Sequence, residues 1–304
     1  MSVSDKLTTI AENEQRVYDA GYSKAEQISL QLLNRTLTEL SHDTLEAIGD
    51  YALRGCSALE RINCPSVKTV GAYVHPTGTA CTLREAYYPA AKSIGSNCFS
   101  SCLTLTDIDV SSVEDIAVGG FYKCTGLQNI SLPKCTSIGK QAFDGCTALQ
   151  AVVAPEVVTL AEKAFNGCTA LEAVDAPLLE TMPAASVFNG CTALAQVNMS
   201  NVSAIPASCF SNCKTLQTLD LHKASNIMAN AFANCTALTA LILRKQDGVC
   251  ALAAWSAVNS SALVKTGYFY VPSALVDSYK SATNWASYAD RFRAIEDYPD
   301  ITGG

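Results

Sequence analysis

Apolar positions along this chain follow neither the strict alternation of a long strand nor the 3.6-residue spacing of a helix. They recur in blocks of about twenty-two residues. Phe99, Phe121, Phe143, Phe165, Phe188, Phe210 and Phe232 mark the blocks. Three residues after each comes a cysteine: Cys102, Cys124, Cys146, Cys168, Cys191, Cys213 and Cys235, at intervals of 22, 22, 22, 23, 22 and 22. Three further on stands a leucine (Leu105, Leu127, Leu149, Leu171, Leu194, Leu216, Leu238), and three beyond it Ile108, Ile130, Val152, Val174, Val197, Leu219 or Leu241. An apolar group returns at Ile116, Ile138, Leu160, Met182, Ile205 and Ile227. Self-similarity at a fixed period of this length is the mark of a stacked-repeat architecture.

Weaker copies extend the array. Cys56 has Leu53, Leu59, Ile62 and Val70 at the same offsets, and Leu37, Leu40 and Ile48 fit a copy starting at Asn34 that lacks the cysteine. Cys81 opens a copy one residue short, with Leu83, Pro89 and Ile94 each arriving one position early; residues 71–80 are expected to bulge out as a loop. Ten copies are visible between about residues 34 and 256.

The spacing has a direct physical reading. Each Leu-x-x-Val/Ile segment is too short to bury a face alone, but stacked beside its copies about 4.8 Å away it forms a parallel sheet. The Phe and Cys columns then fill the interior from the opposite wall. Each coil touches only its neighbours, so the core is continuous along one dimension. The predicted fold is an α/β solenoid over residues 34–272, with a helical N-terminal segment at 1–33 and a helical cap and tail at 273–304. In the cap, Leu275, Tyr279, Trp285, Tyr288, Phe292 and Ile295 give an interrupted amphipathic pattern, with Asn284 as the break. The N-terminal segment, interrupted at Gly21, serves as cap, docking arm or oligomerisation element.

Composition narrows the function classes. Of 304 residues, 49% are hydrophobic and 16% charged, enough apolar material for a core throughout. A net charge of −7 argues against nucleic acid, whose phosphates require clustered Lys and Arg. No stretch is long and apolar enough for a membrane span. Asp5, Glu12 and Glu14 stand where a signal peptide needs its apolar segment. The chain is therefore expected to be cytoplasmic or virion-associated, with cell-surface placement if a leader has been removed. The fourteen cysteines are explained by the repeat as compact buried thiols.

The pattern I-G-x-x-A-F-x-G-C-T-A-L-x-x-V-x-x-P, nearly complete in residues 138–155, resembles the BspA-like leucine-rich repeats. Known members are mostly bacterial and protozoan surface proteins, so the resemblance implies adhesion or recognition. The stretches LTTIAENEQRVYDAGYSKAEQ and YVPSALVDSYKSATNWASYADRF look like segments of repeat proteins from gut Firmicutes and their prophages. That likeness implies an alternative, a structural or accessory virion component docked through residues 1–33.

No HExxH, GxSxG or P-loop motif occurs, and no enzyme activity or cofactor is expected. The pairs Cys98–Cys102 and Cys209–Cys213 lack the complementary ligands of a zinc site, and His42, His75 and His222 are far apart in sequence. The candidate binding face is the outward side of the sheet: Arg61, Asn63, Glu85, Tyr87, Asp107, Asp109, Asn129, Asp175, Gln196, Asn198 and Asp220, with Ala240 and Ile242 in the same series. Tyr73, His75 and Tyr88 join Tyr87, Asp107 and Asp109 as the patch where aromatic and charged groups meet, the composition favoured at interfaces. The expected partner is a protein or glycan. Cys146→Ser is expected to destabilise by burying a hydroxyl without a partner.

Overall fold

The computed structural model describes residues 35–302 apart from 79, 259 and 260, and there the chain winds as a parallel-strand solenoid of about 11 turns. The N-terminal segment 1–33 lies outside the described residues.

On one wall each turn lays down a strand of three or four residues. The ladder runs in three blocks of four. The first is Glu39–Ser41, Arg61–Asn63, Glu85–Tyr87 and Asp107–Asp109. Asn129–Ser131, Ala151–Val153, Ala173–Asp175 and Gln196–Asn198 follow, then Thr218–Leu221, Ala240–Leu243, Tyr268–Val271 and Phe292–Ala294. Pairing is parallel and in register by one turn, as in Ala151 opposite Ala173 and Val152 opposite Val174. In the first two blocks the central residue of each strand points inward and is buried, except that Ile108 and Val197, in the strands that end them, are only half-buried. A second wall of two-residue strands, from Ala47–Ile48 to Ala251–Leu252, contributes Ile94, Ile116, Ile138, Leu160 and Ile205 to the interior.

Between the walls the phenylalanines form one column. From Phe99 to Phe232 successive rings stack with centroids 5.1–5.8 Å apart and planes within 12°. The cysteines form a second column with a defined hydrogen bond. From Cys124 to Cys235 each thiol of the column donates to the phenylalanine carbonyl of the preceding turn: Cys124 to Phe99 (2.9 Å), Cys146 to Phe121 (3.0 Å), Cys168 to Phe143 (3.1 Å) and Cys191 to Phe165 (3.1 Å). The same carbonyl accepts the cysteine N–H three residues on in its own turn, as Phe121 does from Cys124 (3.1 Å), so both oxygen lone pairs are used. All fourteen cysteines are buried and none is in a disulfide. Burial pushes the Cys146, Cys191 and Cys235 thiols up to about 12, where they stay protonated and able to donate.

The glycine before the cysteine also has a reason. Gly145, Gly167 and Gly190 lie at φ 77°, 70° and 76°, the left-handed region in which a side chain is disfavoured. In two later turns Asn212 and Asn234 hold this place at φ 64° and 59°. Their side chains complete a ladder in which Asn234 donates to Asn212, Asn212 to Asn189, Asn189 to Asn166 and Asn166 to Asp144.

The turn around residue 75 departs from the expectation of a loop. The chain stays in register through His75, whose N–H donates to the Cys98 carbonyl (3.3 Å), and the imidazole occupies the phenylalanine column. It stacks on Phe99 at 4.6 Å. The irregularity comes afterwards. Eight residues separate His75 from Leu83 where six separate Phe99 from Leu105, so two extra residues fall in the 76–82 corner and Cys81 sits one place off its column.

The C-terminal cap combines helix and sheet. The helix α1 (Val276–Ser281) and a run of 3-10 turns flank Asn284, which at φ 64° makes the break. Phe292–Ala294 then adds an unforeseen parallel strand beside Tyr268–Val271. Trp285, fully buried, donates from Nε1 to the Cys250 carbonyl (2.6 Å), and the Asn284 amide donates to Leu252 (2.6 Å). The Tyr279 hydroxyl accepts the Cys250 N–H (2.8 Å). These bonds satisfy backbone groups that an open final turn would leave unpaired.

Candidate recognition surface

The outward side of the long-strand wall carries two parallel columns of side chains, because alternate residues of a strand face opposite ways. One column runs Glu39, Arg61, Glu85, Asp107, Asn129, Ala151, Ala173, Gln196, Thr218 and Ala240. The other runs Ser41, Asn63, Tyr87, Asp109, Ser131, Val153, Asp175, Asn198, Asp220 and Ile242. In-register stacking means that each side chain meets its counterpart one strand away.

Along most of the solenoid this register places opposite charges or hydrogen-bonding groups together. Arg61 meets Glu39 at 3.4 Å on this face, and Lys92–Glu114 and Lys140–Glu162, each at 2.7 Å, do the same elsewhere. Asn198 donates to Asp175 (2.7 Å). Arg244 grips Asp220 with Nε to both carboxylate oxygens (2.9 Å each) and Nη2 at 2.8 Å.

Around Tyr87 the rule is broken. Glu85 stands directly beside Asp107, and Asp109 follows two residues later on the same face. None of these three carboxylates has an ion pair among the described residues. Asp107 accepts only from the Thr106 hydroxyl (2.8 Å) and Asp109 from the Ser111 N–H (3.0 Å), both local contacts. Like charges directly opposed in a sheet are destabilising. Tyr87, 44% exposed, stands between Asn63 and Asp109 with its ring open to solvent.

At the far end the same face is covered by the chain itself. Ala240, Ile242 and Tyr270 point outward from the wall yet are buried, because Ile295 and Tyr298 pack on them. Tyr298 meets Tyr270 edge-on at 5.5 Å, and Arg293 lies 4.3 Å over the Tyr268 ring. The apolar character of Ala240, Ile242 and Tyr270 in outward positions was the signal in the sequence for this cover.

Three residues leave the candidate face. His75 is 1% exposed and Tyr88 is fully buried: His75 fills the phenylalanine column, and Tyr88, one residue beyond its strand, turns back inward. Tyr73 is exposed, but on a corner outside the sheet, where it stacks on Tyr51 at 5.3 Å. Cys98, Cys102, Cys209 and Cys213 are all core thiols, and no group of three His, Cys, Asp or Glu side chains is placed to hold a metal among the described residues. No helix among them is long and apolar enough to cross a membrane.

Comparison with known proteins agrees with this architecture. Residues 33–134 and 114–239 match the family described as BspA type Leucine rich repeat region, in six copies. No curated protein matches the sequence. Among solved structures, a leucine-rich repeat protein from Bacteroides ovatus is 19% identical over 84% of this chain and 66% of its own, with a TM-score of 0.51. A leucine rich cell surface protein from Faecalibacterium prausnitzii is 17% identical over 82% of this chain and 89% of its own, with a TM-score of 0.41. The leucine-rich repeat protein of T. pallidum is 20% identical over 59% of this chain and 78% of its own, with a TM-score of 0.43. At these identities the likeness concerns the fold alone.

Proposed function

The chain belongs to the BspA-type leucine-rich repeat family, and from that premise we propose that it is a non-enzymatic recognition scaffold that binds a protein partner on the open, N-terminal half of its outer sheet face. The observation that carries this reading is the group Glu85, Asp107 and Asp109, none of them in an ion pair among the described residues, around the exposed ring of Tyr87. A fold that pairs its charges from turn to turn leaves three carboxylates unpaired in adjoining positions. A lysine- or arginine-bearing segment supplies the missing charge, and the Tyr87 ring supplies apolar area and a cation-binding face. The covered C-terminal end supports the same reading, since there a polypeptide segment already lies on this wall. Leucine-rich repeat folds commonly bind proteins.

The test is binding of a fluorescent nine-residue lysine peptide, read by anisotropy at two salt concentrations. The parent is expected to bind, more weakly at high salt. The triple variant Glu85→Gln, Asp107→Asn, Asp109→Asn should lose at least tenfold in affinity. A variant with the same charge change at Glu114, Glu162 and Asp277 should lose less than threefold. Equal losses in the two variants, or preference for a neutral glycan over the peptide, would overturn the proposal.

A further inference from the structure

His75 is the polar exception in a column that runs from Leu53 to Phe232. In seven successive turns the place is held by phenylalanine, and in the turn before Phe99 by an imidazole. Its ring stacks on Phe99 as a phenyl ring would, but both nitrogens are buried and neither has a hydrogen-bond partner. Tyr88, at the end of the same turn's strand, buries a hydroxyl that is equally without a partner. An unpaired buried polar group costs about 1–3 kcal/mol, and this turn carries three such atoms together with the two-residue irregularity at its corner. It is therefore the weakest link in the stack on local grounds alone.

We propose that the turn containing His75 is an acid-triggered latch: protonation of the buried imidazole opens this turn, and with it the strand Glu85–Tyr87, while the phenylalanine-stacked turns remain closed. No carboxylate stands beside the imidazole to balance an imidazolium charge. The titratable side chains turned into this interior are Cys56 and Cys64 from the preceding turn, Cys81 and Tyr88 from its own, and Cys98 and Cys102 from the next. None is a carboxylate. Cys64, Cys98, Cys102 and Tyr88 are all shifted by burial toward their neutral forms.

Desolvation alone lowers the His75 pKa from 6.5 to about 3. The open turn, with the imidazole in water, takes up a proton near 6.5, while the closed turn does not until about 3. Closure is thus fully favoured above pH 6.5 and is lost as pH falls through that window, with the opening equilibrium rising about tenfold per pH unit. The open turn carries Glu85 and Tyr87, so acid would release a partner held there; that consequence rests on the function proposed above, whereas the latch does not.

The latch is tested by thiol accessibility without any partner. The full chain is pulsed with 4,4′-dithiodipyridine at pH 7.5 and pH 4.5, rates are corrected by those of the urea-unfolded chain at each pH, and labelled cysteines are assigned by peptide mass spectrometry. Corrected labelling of Cys81, Cys98 and Cys102 is expected to rise on the order of 100-fold at pH 4.5, with Cys146, Cys168, Cys191 and Cys213 rising less than fivefold. His75→Phe, which restores the column, and His75→Leu, which is neutral and needs no aromatic fit, should both abolish the acid-dependent rise. A uniform rise along all cysteines, or a rise that persists in both variants, would overturn the latch.

Discussion

At the scale of the residue, cysteine is chosen for a reason beyond its size. The thiol fills a narrow column and donates to a carbonyl that an alkyl group would leave half-served. This reverses the expectation for Cys146→Ser, because the hydroxyl finds the Phe121 carbonyl waiting. Cys146→Ser should cost about 1 kcal/mol or less, and Cys146→Ala, which loses the donor and leaves a cavity, about 2 kcal/mol; urea midpoints at constant m-value separate the two. Phe165→Ala removes a ring stacked on both sides and should cost about 3–5 kcal/mol by the same measurement. The column itself was legible in the sequence, since period and residue type coincide. The thiol bond was not, because it joins residues twenty-five apart through a backbone oxygen that no side-chain pattern marks.

Elements show where a periodic reading succeeds and where it slips. The sheet wall, the inward and outward alternation and the break at Asn284 all follow from spacing. A register drawn on Cys81 misplaces the turn at 71–82, whereas Val70, which precedes His75 by five residues as Ile94 precedes Phe99, puts His75 beneath Phe99. Tyr88 faces inward rather than outward because strand alternation continues one residue past Tyr87. The cap's added strand, Phe292–Ala294, lacked a repeat signature, and its place depends on pairing with Tyr268–Val271. Trp285→Ala should be among the costliest changes in the cap, about 3–5 kcal/mol, since it removes both a buried ring and the donor to Cys250. Tyr298→Ala should be milder in stability, yet it bares Tyr270; binding of a hydrophobic dye at that end, absent in the parent, would check it.

For the whole molecule, the solenoid makes each turn answerable chiefly to its neighbours, so a local weakness stays local. One face can therefore combine a C-terminal end sealed by its own tail with an N-terminal half that, among the described residues, is open and unbalanced in charge. The fold was readable from the chain because one rule repeats. The occupied and open parts of the face were not, because they arise from contacts between the regular array and its irregular ends. Photo-crosslinking is the most direct check on the recognition surface. A benzophenone amino acid is placed in turn at Asn63, Tyr87 and Asn129 on the outer sheet face, and at Val118 and Met228 on exposed parts of the opposite wall. With the lysine peptide present, crosslinks are expected from the three outer-face positions and not from the two behind. Crosslinks from Val118 or Met228 equal to those from Tyr87 would contradict the assignment of binding to this face.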